Sequence, residues 1–202
     1  MKNIFLILIL SIFLSGCVET VIVGTVATGV MIASEKSFVD TTGDAFIHSK
    51  IHKQFKEQRL EQKLADVDVK VYEGRVILLG KVERKKYSKQ AIEVAWKVEG
   101  VREVIDETKV YVDRGESGVL KAGRATKDAF ITSQVKSRFI AKKSVKSINV
   151  EVETVDGIVY LIGVAQDRNE IEESARIASK VRGVKRVVSH VVLKTDSRRG
   201  KS

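Results

Sequence analysis

The sequence predicts an α+β fold in which one αββαβ module occurs twice, each module a small three-stranded mixed sheet with two helices on one face. The segment Asp-Ala-Phe-Ile at residues 44–47 recurs at residues 128–131, and later landmarks recur at an offset of 83. Within each copy, apolar residues repeat at helical spacing, then at every second position, and then at helical spacing again before a last alternating stretch. One long period that occurs twice indicates two domains of the same fold and not a solenoid.

The first helix of each copy carries apolar residues four positions apart, which places them on one face. They are Ile47, Ile51 and Phe55 in the first copy and Ile131, Val135 and Phe139 in the second. Asp44 and Asp128 stand just before these stripes. We expect each aspartate to cap the N-terminus of its helix, because a short acidic side chain accepts hydrogen bonds from the free backbone amides there.

An alternating strand, a two-residue turn and a return strand follow in each copy, which is the pattern of a β-hairpin. The turns are Glu73-Gly74 and Asp156-Gly157, where glycine supplies a positive φ. A second helix precedes the last strand, and the glycine near its end is expected at the C′ position. The glycines with predicted turn or cap roles are Gly74, Gly80, Gly100, Gly157, Gly163 and Gly183.

These patterns divide the chain into six segments. They are a signal peptide at 1–16, a lipidated N-terminus and tether at 17–43, a first module at 44–113, a linker at 114–124, a second module at 125–195 and a basic tail at 196–202. A module of about 70 residues has a modest core, so we expect the two modules to pack together. The only tryptophan, Trp96, is expected to pack, for instance between the modules, and the tail is expected to fray.

The N-terminus predicts export and attachment to a membrane. Met1-Lys2 precede an apolar stretch at residues 4–13, which is typical of a secretory signal and too short to span a bilayer. Residues 14–17, Leu-Ser-Gly-Cys, resemble a bacterial lipobox, and Cys17 is the only cysteine. The resemblance implies cleavage before Cys17 and acylation of its thiol, and Val18 in place of aspartate favours the outer membrane. The alternative is an ordinary signal peptide with a chance cysteine.

The net charge of +10 is concentrated in the second half of the chain. Residues 128–202 hold 15 Lys and Arg against 9 Asp and Glu, whereas residues 44–113 hold 15 against 13. A basic region favours an anionic partner. Because the N-terminus predicts export, we expect that partner to be phospholipid head groups and not nucleic acid.

The glycine pattern resembles that of the BON domain. In each copy an acidic residue and a glycine form the hairpin turn, a second glycine follows six residues later, and a helix ends at Gly-Val a further twenty residues on, as at Gly74, Gly80 and Gly100-Val101. With the lipobox in front, nearly all of the mature chain resembles the dual BON-domain outer-membrane lipoproteins. The resemblance implies a non-enzymatic, periplasm-facing protein of the outer membrane. Such a protein binds anionic phospholipid through the first helix of the second BON domain, gathers at the division site and supports envelope integrity.

The first helix of the second copy has a second face, away from its core stripe. At about 100° per residue, five uncharged residues fall within an arc of about 100° on that far side. The predicted phospholipid-binding residues are Phe130, Ser133, Ser137, Ile140 and Ala141 in this arc, and Lys127, Lys136, Arg138 and Lys143 at its edges and end. An apolar face with basic edges is what insertion among anionic head groups requires.

The first copy serves as an internal comparison. Lys53, Lys56 and Glu57 stand at three of the matching positions, so that face is charged there. Phe46 matches Phe130, however, and the alternative for Phe130 is packing against the other module or the linker. The alternative function is a protein adaptor that docks on outer-membrane assembly machinery or cell-wall enzymes.

The residues with catalytic potential form no recognisable set. We find no Ser/His/Asp combination, no phosphate-binding glycine loop and no pair of catalytic carboxylates in the sequence, and we therefore expect no enzyme activity and no cofactor. His48 and His52 are four apart, which is compatible with zinc, but no third ligand follows nearby. A pair of surface histidines without a metal is therefore favoured.

Overall fold

The computed structural model describes residues 38–111, 118–142 and 145–199. The first module consists of α1 (Phe38–Glu57), a 3₁₀ turn (Glu61–Leu64), β1 (Val67–Tyr72), β2 (Arg75–Val82), α2 (Lys85–Trp96) and β3 (Glu103–Val110). The second consists of α3 (Gly118–Ala141), a 3₁₀ turn (Ser147–Asn149), β4 (Val150–Val155), β5 (Ile158–Ala165), α4 (Arg168–Ser179) and β6 (Arg186–Leu193). The predicted order αββαβ is therefore confirmed in both copies. Within these ranges, no helix combines the length and the apolar character that a membrane span requires.

Each module has one mixed sheet of three strands, as predicted. β1 pairs with β2 antiparallel and β2 pairs with β3 parallel, and the second module repeats this arrangement with β4, β5 and β6. Gly80 sits opposite Val67 in the hairpin with a φ of 117°. A Cβ at this position would lie 2.0 Å from the carbonyl oxygen of Asp66, so only glycine fits.

The two hairpin turns are held by an aspartate from the first helix of their own module, and the predicted N-cap role of these aspartates is wrong. Both helices begin earlier than expected, so Asp44 and Asp128 lie inside them. The carboxylate of Asp44 accepts hydrogen bonds from the two backbone amides of the β1–β2 turn, both at 2.7 Å. Asp128 accepts from the two amides of the β4–β5 turn at 2.7 and 2.8 Å. The same latch therefore ties hairpin to helix in both modules.

Both first helices extend into segments that were expected to be irregular. α1 begins inside the predicted tether and α3 begins inside the predicted linker. The glycines of these segments indicate a break, and Gly43, Gly118 and Gly123 nevertheless belong to the helices. A glycine costs only about 1 kcal/mol relative to alanine inside a helix, and the sequence has no proline to stop either helix.

Gly100 and Gly183 lie in turns and not at the predicted C′ positions. α2 ends at Trp96 and α4 at Ser179, so each glycine comes four residues after its helix. Their φ values are 90° and 96°. A Cβ on Gly100 would lie 3.1 Å from Cδ1 of Ile47, so this turn passes directly beneath α1.

Each module has its own core between helices and sheet, and a third apolar cluster joins the two sheets. The buried residues of this third cluster are Tyr72, Ile77 and Leu79 of the first module and Ile158, Tyr160, Ile162, Val164 and Val192 of the second. The expected packing of the modules is thus confirmed, and it uses the sheet faces that the helices leave free. Trp96 takes no part in it: the side chain is 50% exposed, so the expectation that it packs is wrong.

One ion pair and one hydrogen bond across this interface join equivalent positions of the repeat. Lys70 Nζ lies 2.9 Å from Glu153 Oε1, and His190 Nε2 lies 3.0 Å from Glu107 Oε1. The partners are 83 residues apart in each case, which is the offset of the repeat. Two equivalent residues contact each other only when they lie next to a two-fold axis that relates the copies. The two modules are therefore related by an approximate two-fold rotation.

The described part of the basic tail, residues 196–199, folds back onto the first module instead of fraying. The Nε and Nη2 atoms of Arg199 donate to the two carboxylate oxygens of Glu73, both at 2.8 Å. Glu73 belongs to the first hairpin turn and is 3% exposed. Arg199 and Glu73 therefore form a clasp between the second module and the first.

Candidate functional site

The helix α3 presents two faces of different character. Ile131, Val135 and Phe139 are 4%, 0% and 1% exposed and belong to the core of the second module. On the far side, Phe130 and Ile140 are 61% and 76% exposed. The helix thus buries the stripe that its periodicity predicts and leaves two large apolar side chains in solvent.

Residues with small side chains lie beside Phe130 and Ile140 on this face of the helix. Ser133, Ser137 and Ala141 are all exposed on the same face. The Ser133 hydroxyl donates to the carbonyl oxygen of Phe130 at 2.8 Å, so it is satisfied within the helix. We call the five residues Phe130, Ser133, Ser137, Ile140 and Ala141 the apolar strip.

The apolar strip continues towards the N-terminus of α3, through Thr126 and into the segment that sequence analysis assigned to the linker. At about 100° per residue, Val119, Ala122, Gly123 and Thr126 fall in the same arc. All four are exposed, and Val119 is 81% exposed. The Thr126 hydroxyl donates to the carbonyl oxygen of Ala122 at 3.0 Å. One helix of 24 residues therefore carries an uncharged exposed face over its whole length.

Basic side chains border the apolar strip. Lys127 and Lys136 are exposed, and neither has an ion pair or hydrogen bond with any residue that the structure describes. Arg138 Nη1 donates to the carbonyl oxygen of Lys180 at 3.1 Å, which holds that side chain beside α4. Lys143 lies outside the described residues, as does Cys17. Lys127 and Lys136 thus remain available to an anionic surface.

The matching face of α1 is charged, as the sequence comparison predicts. Lys53 and Glu57 form an ion pair at 3.7 Å on this face, and Lys56 is exposed beside them. Phe46 is 52% exposed, but the Lys50 ammonium lies 5.0 Å from the centre of its ring. The fold therefore does not require an uncharged strip at this position, because the first module forms without one.

A groove next to Phe130 contains basic residues that the sequence analysis missed. Its volume is ≈ 650 Å³, which lies within the about 300–1,000 Å³ that is typical of small-ligand sites. Arg182 and Lys185, from the segment between α4 and β6, line it together with Lys127. Arg182 could have been found by comparing the two copies of the repeat, because Glu99, of opposite charge, occupies the matching position in the first module.

The two histidines offer no metal site among the described residues. The rings of His48 and His52 lie 4.5 Å apart, and no group of three or more potential ligands is found in the part of the chain that the structure describes. Burial, and then the neighbouring His52, lower the pKa of His48. Both side chains lie on the exposed side of α1.

Comparison with known proteins identifies the modules. The BON domain matches residues 43–111 and 127–195, which together make up more than half of the chain. The chain belongs to the BON-domain family. Each match coincides with one αββαβ module, so the two modules are the first and second BON domains.

Several relatives are similar to this chain in sequence. The outer membrane lipoprotein DolP of Haemophilus influenzae is 30% identical over 93% of this chain and 94% of its own length. An uncharacterized protein of Anaplasma centrale is 36% identical over 75% of this chain and 95% of its own. The osmotically-inducible protein Y of Escherichia coli is 36% identical over 62% of this chain and 60% of its own. The similarity to DolP thus extends through both BON domains and beyond them.

Proposed function

We propose that the chain is an outer-membrane lipoprotein, anchored through Cys17 and facing the periplasm, that binds anionic phospholipid through α3 and supports envelope integrity. The N-terminal signal and lipobox support this location, as does the similarity to a relative named as an outer membrane lipoprotein. The observation that carries the binding is the apolar strip with its basic borders, which the second BON domain has and the first lacks.

The exposed side chains supply enough free energy for weak membrane binding. Burying a large apolar side chain such as Phe130 or Ile140 contributes about 1.5–3 kcal/mol, and each cation near an anionic surface adds about 1 kcal/mol. Part of each apolar side chain is already covered, so the lower end of the first range applies. The contact is therefore reversible when it acts alone.

The lipid anchor makes a weak contact sufficient. A chain tethered through Cys17 keeps α3 at a high effective concentration next to the bilayer, so binding becomes an intramolecular event. The anchor then provides retention, and α3 sets the orientation in which the two BON domains face the membrane. Gathering at the division site is a further part of the proposal, and imaging of a fluorescent fusion in dividing cells tests it.

The test uses a chain that begins at residue 38 and so lacks the anchor. It retains α1 and all three apolar clusters, which lie between residues 47 and 192. Flotation with vesicles measures binding, once with neutral phosphatidylcholine alone and once with added phosphatidylglycerol. We expect recovery only with the anionic vesicles and a loss of recovery at high salt, because salt screens the cations. Equal recovery with both vesicle types would remove the proposal.

A matched pair of variants separates the apolar strip from general effects of charge. Ser133 and Ser49 occupy the same position in the two repeats, and both are exposed. Ser133→Glu places a carboxylate within the strip and is expected to abolish flotation, whereas Ser49→Glu adds the same charge to α1 and is expected to leave it intact. Equal effects of the two variants contradict a role for α3. Stoichiometric crosslinking to one envelope protein that Ser133→Glu leaves unchanged favours the adaptor function instead.

A further inference from the structure

The groove beside Phe130 is built from three separate elements of the second BON domain. α3 contributes Phe130 and Lys127, the β4–β5 turn contributes Asp156, and the segment after α4 contributes Arg182 and Lys185. Its volume of ≈ 650 Å³ is ample for a phosphate group with its glycerol. The groove opens beside the apolar strip, since Phe130 belongs to both.

The carboxylates of the groove are already occupied. Both oxygens of Asp128 accept backbone amides of the turn. The Asp156 carboxylate pairs with Lys81 at 2.7 Å, and the Lys185 ammonium donates to the Asp156 carbonyl oxygen at 2.8 Å. Lys127 and Arg182, by contrast, are exposed and have no ion pair or hydrogen bond with any described residue. Two uncompensated cations therefore line the groove.

The first BON domain has the same groove positions without these cations. Gly43 stands where Lys127 is found, and Glu99 stands where Arg182 is found. The exposed phenylalanine is present in both domains, as Phe46 and Phe130. Since the first domain folds with a glycine and a glutamate at these positions, the fold does not require cations there, and this difference between the domains favours a binding role for Lys127 and Arg182.

We propose that this groove is a subsite for the phosphate of an anionic phospholipid head group, bound by Lys127 and Arg182 while the Phe130 ring lies among the adjoining lipid. The inference rests on the proposed function. A guanidinium donates two parallel hydrogen bonds to a phosphate, and an ammonium adds a point charge, so the pair suits a phosphate monoanion. A membrane lipid is favoured over free phosphate because a phenylalanine that is 61% exposed borders the site. The apolar part of a lipid can pack against this ring, whereas a free phosphate ion gains nothing from the contact.

The test compares two charge reversals in the chain that begins at residue 38. Arg182→Glu introduces the charge found in the first BON domain, and Lys89→Glu makes the same change of net charge at an exposed position on α2. Removal of one contributing cation and introduction of a repelling charge is expected to lower the affinity for phosphatidylglycerol vesicles by about tenfold or more relative to Lys89→Glu. Circular dichroism verifies that both variants remain folded.

A second measurement identifies the source of the phosphate. Short-chain phosphatidylglycerol below its micelle concentration and inorganic phosphate are titrated separately while the NMR signals of the arginine side chains are followed. We expect the Arg182 signal to shift with the lipid and much less with inorganic phosphate. Equal shifts with both probes overturn the assignment to a lipid and leave a general anion site.

The outcomes separate the subsite from the proposed function. If Arg182→Glu and Lys89→Glu weaken vesicle binding equally while Ser133→Glu abolishes it, the subsite is wrong and the role of α3 stands. If the unmodified chain does not distinguish anionic from neutral vesicles, the proposed function itself fails. If Arg182→Glu alone loses discrimination between the two vesicle types, the subsite is supported.

Discussion

Removal of the Arg199 guanidinium is expected to destabilise the whole chain, because it leaves the Glu73 carboxylate buried without its partner. Glu73 is 3% exposed, and both of its oxygens accept hydrogen bonds from Arg199 at 2.8 Å. Breaking a buried ion pair by deleting one partner costs about 3–5 kcal/mol. The Arg199 side chain is 17% exposed, so water reaches part of the vacated space. We therefore expect Arg199→Ala to lower the free energy of unfolding by about 2–4 kcal/mol.

Urea denaturation followed by circular dichroism measures this loss. Arg198→Ala is the matched control, because Arg198 is the adjacent arginine, its side chain is 52% exposed and its ion pair with Asp196 lies at the surface. An exposed pair is worth only about 0–1 kcal/mol. A double-mutant cycle with Glu73→Gln isolates the coupling between Arg199 and Glu73. A loss for Arg199→Ala no larger than that for Arg198→Ala refutes the reasoning.

Three further predictions concern the fold. Gly163→Ala is expected to lower the free energy of unfolding by at least about 3 kcal/mol, because the alanine Cβ would lie 1.9 Å from the Asn149 carbonyl oxygen. Thermal unfolding measures this change, and a loss below about 1 kcal/mol contradicts the prediction. Burial raises the pKa of the Tyr72 hydroxyl at the interface, so the folded chain loses stability as the pH rises above about 10, the pKa of an unfolded tyrosine, because only the unfolded state then releases the proton readily. The free energy of unfolding of Tyr72→Phe should therefore fall less steeply above that pH. Parallel pH profiles of the two proteins would argue against this prediction. Lys70→Glu should destabilise by about 1–2 kcal/mol, and adding Glu153→Lys should restore most of the loss; no restoration in the double variant means that the two side chains are not coupled.

The module order and the hairpins could be predicted because their signals are local. Periodicity and turn chemistry depend on residues that are neighbours in sequence, and so do the buried stripes of α1 and α3. The role of Asp44 could not be predicted in the same way. An N-cap and a hairpin latch use the same chemistry, a carboxylate that accepts backbone amides, and here the amides lie 29 and 30 residues away. The sequence shows the acceptor but not which amides it meets.

The groove and the clasp escaped prediction because each joins distant parts of the chain. Arg182 follows α4, yet the fold places it beside Phe130 on α3. Arg199 is 126 residues from Glu73, and a charged C-terminus predicts fraying unless the partner is known. The apolar strip could be predicted in part, since its angular position follows from helix geometry. Its extension to Val119 was hidden by glycines that a helix tolerates.

The approximate two-fold axis between the BON domains has a consequence for how such a chain arises and diversifies. Two first domains paired in this way would set Lys70 against Lys70, and two second domains would set Glu153 against Glu153. Pairing a first domain with a second domain replaces both repulsions by one attraction, so pairing within one chain is favoured over pairing of two identical domains from different chains. Because the two sheets pack against each other, the helices lie on the outer sides of the pair, and their exposed faces take no part in the contact between the domains. Duplication thereby permits a division of labour, in which one half keeps a solvated exterior while its twin acquires a new contact surface.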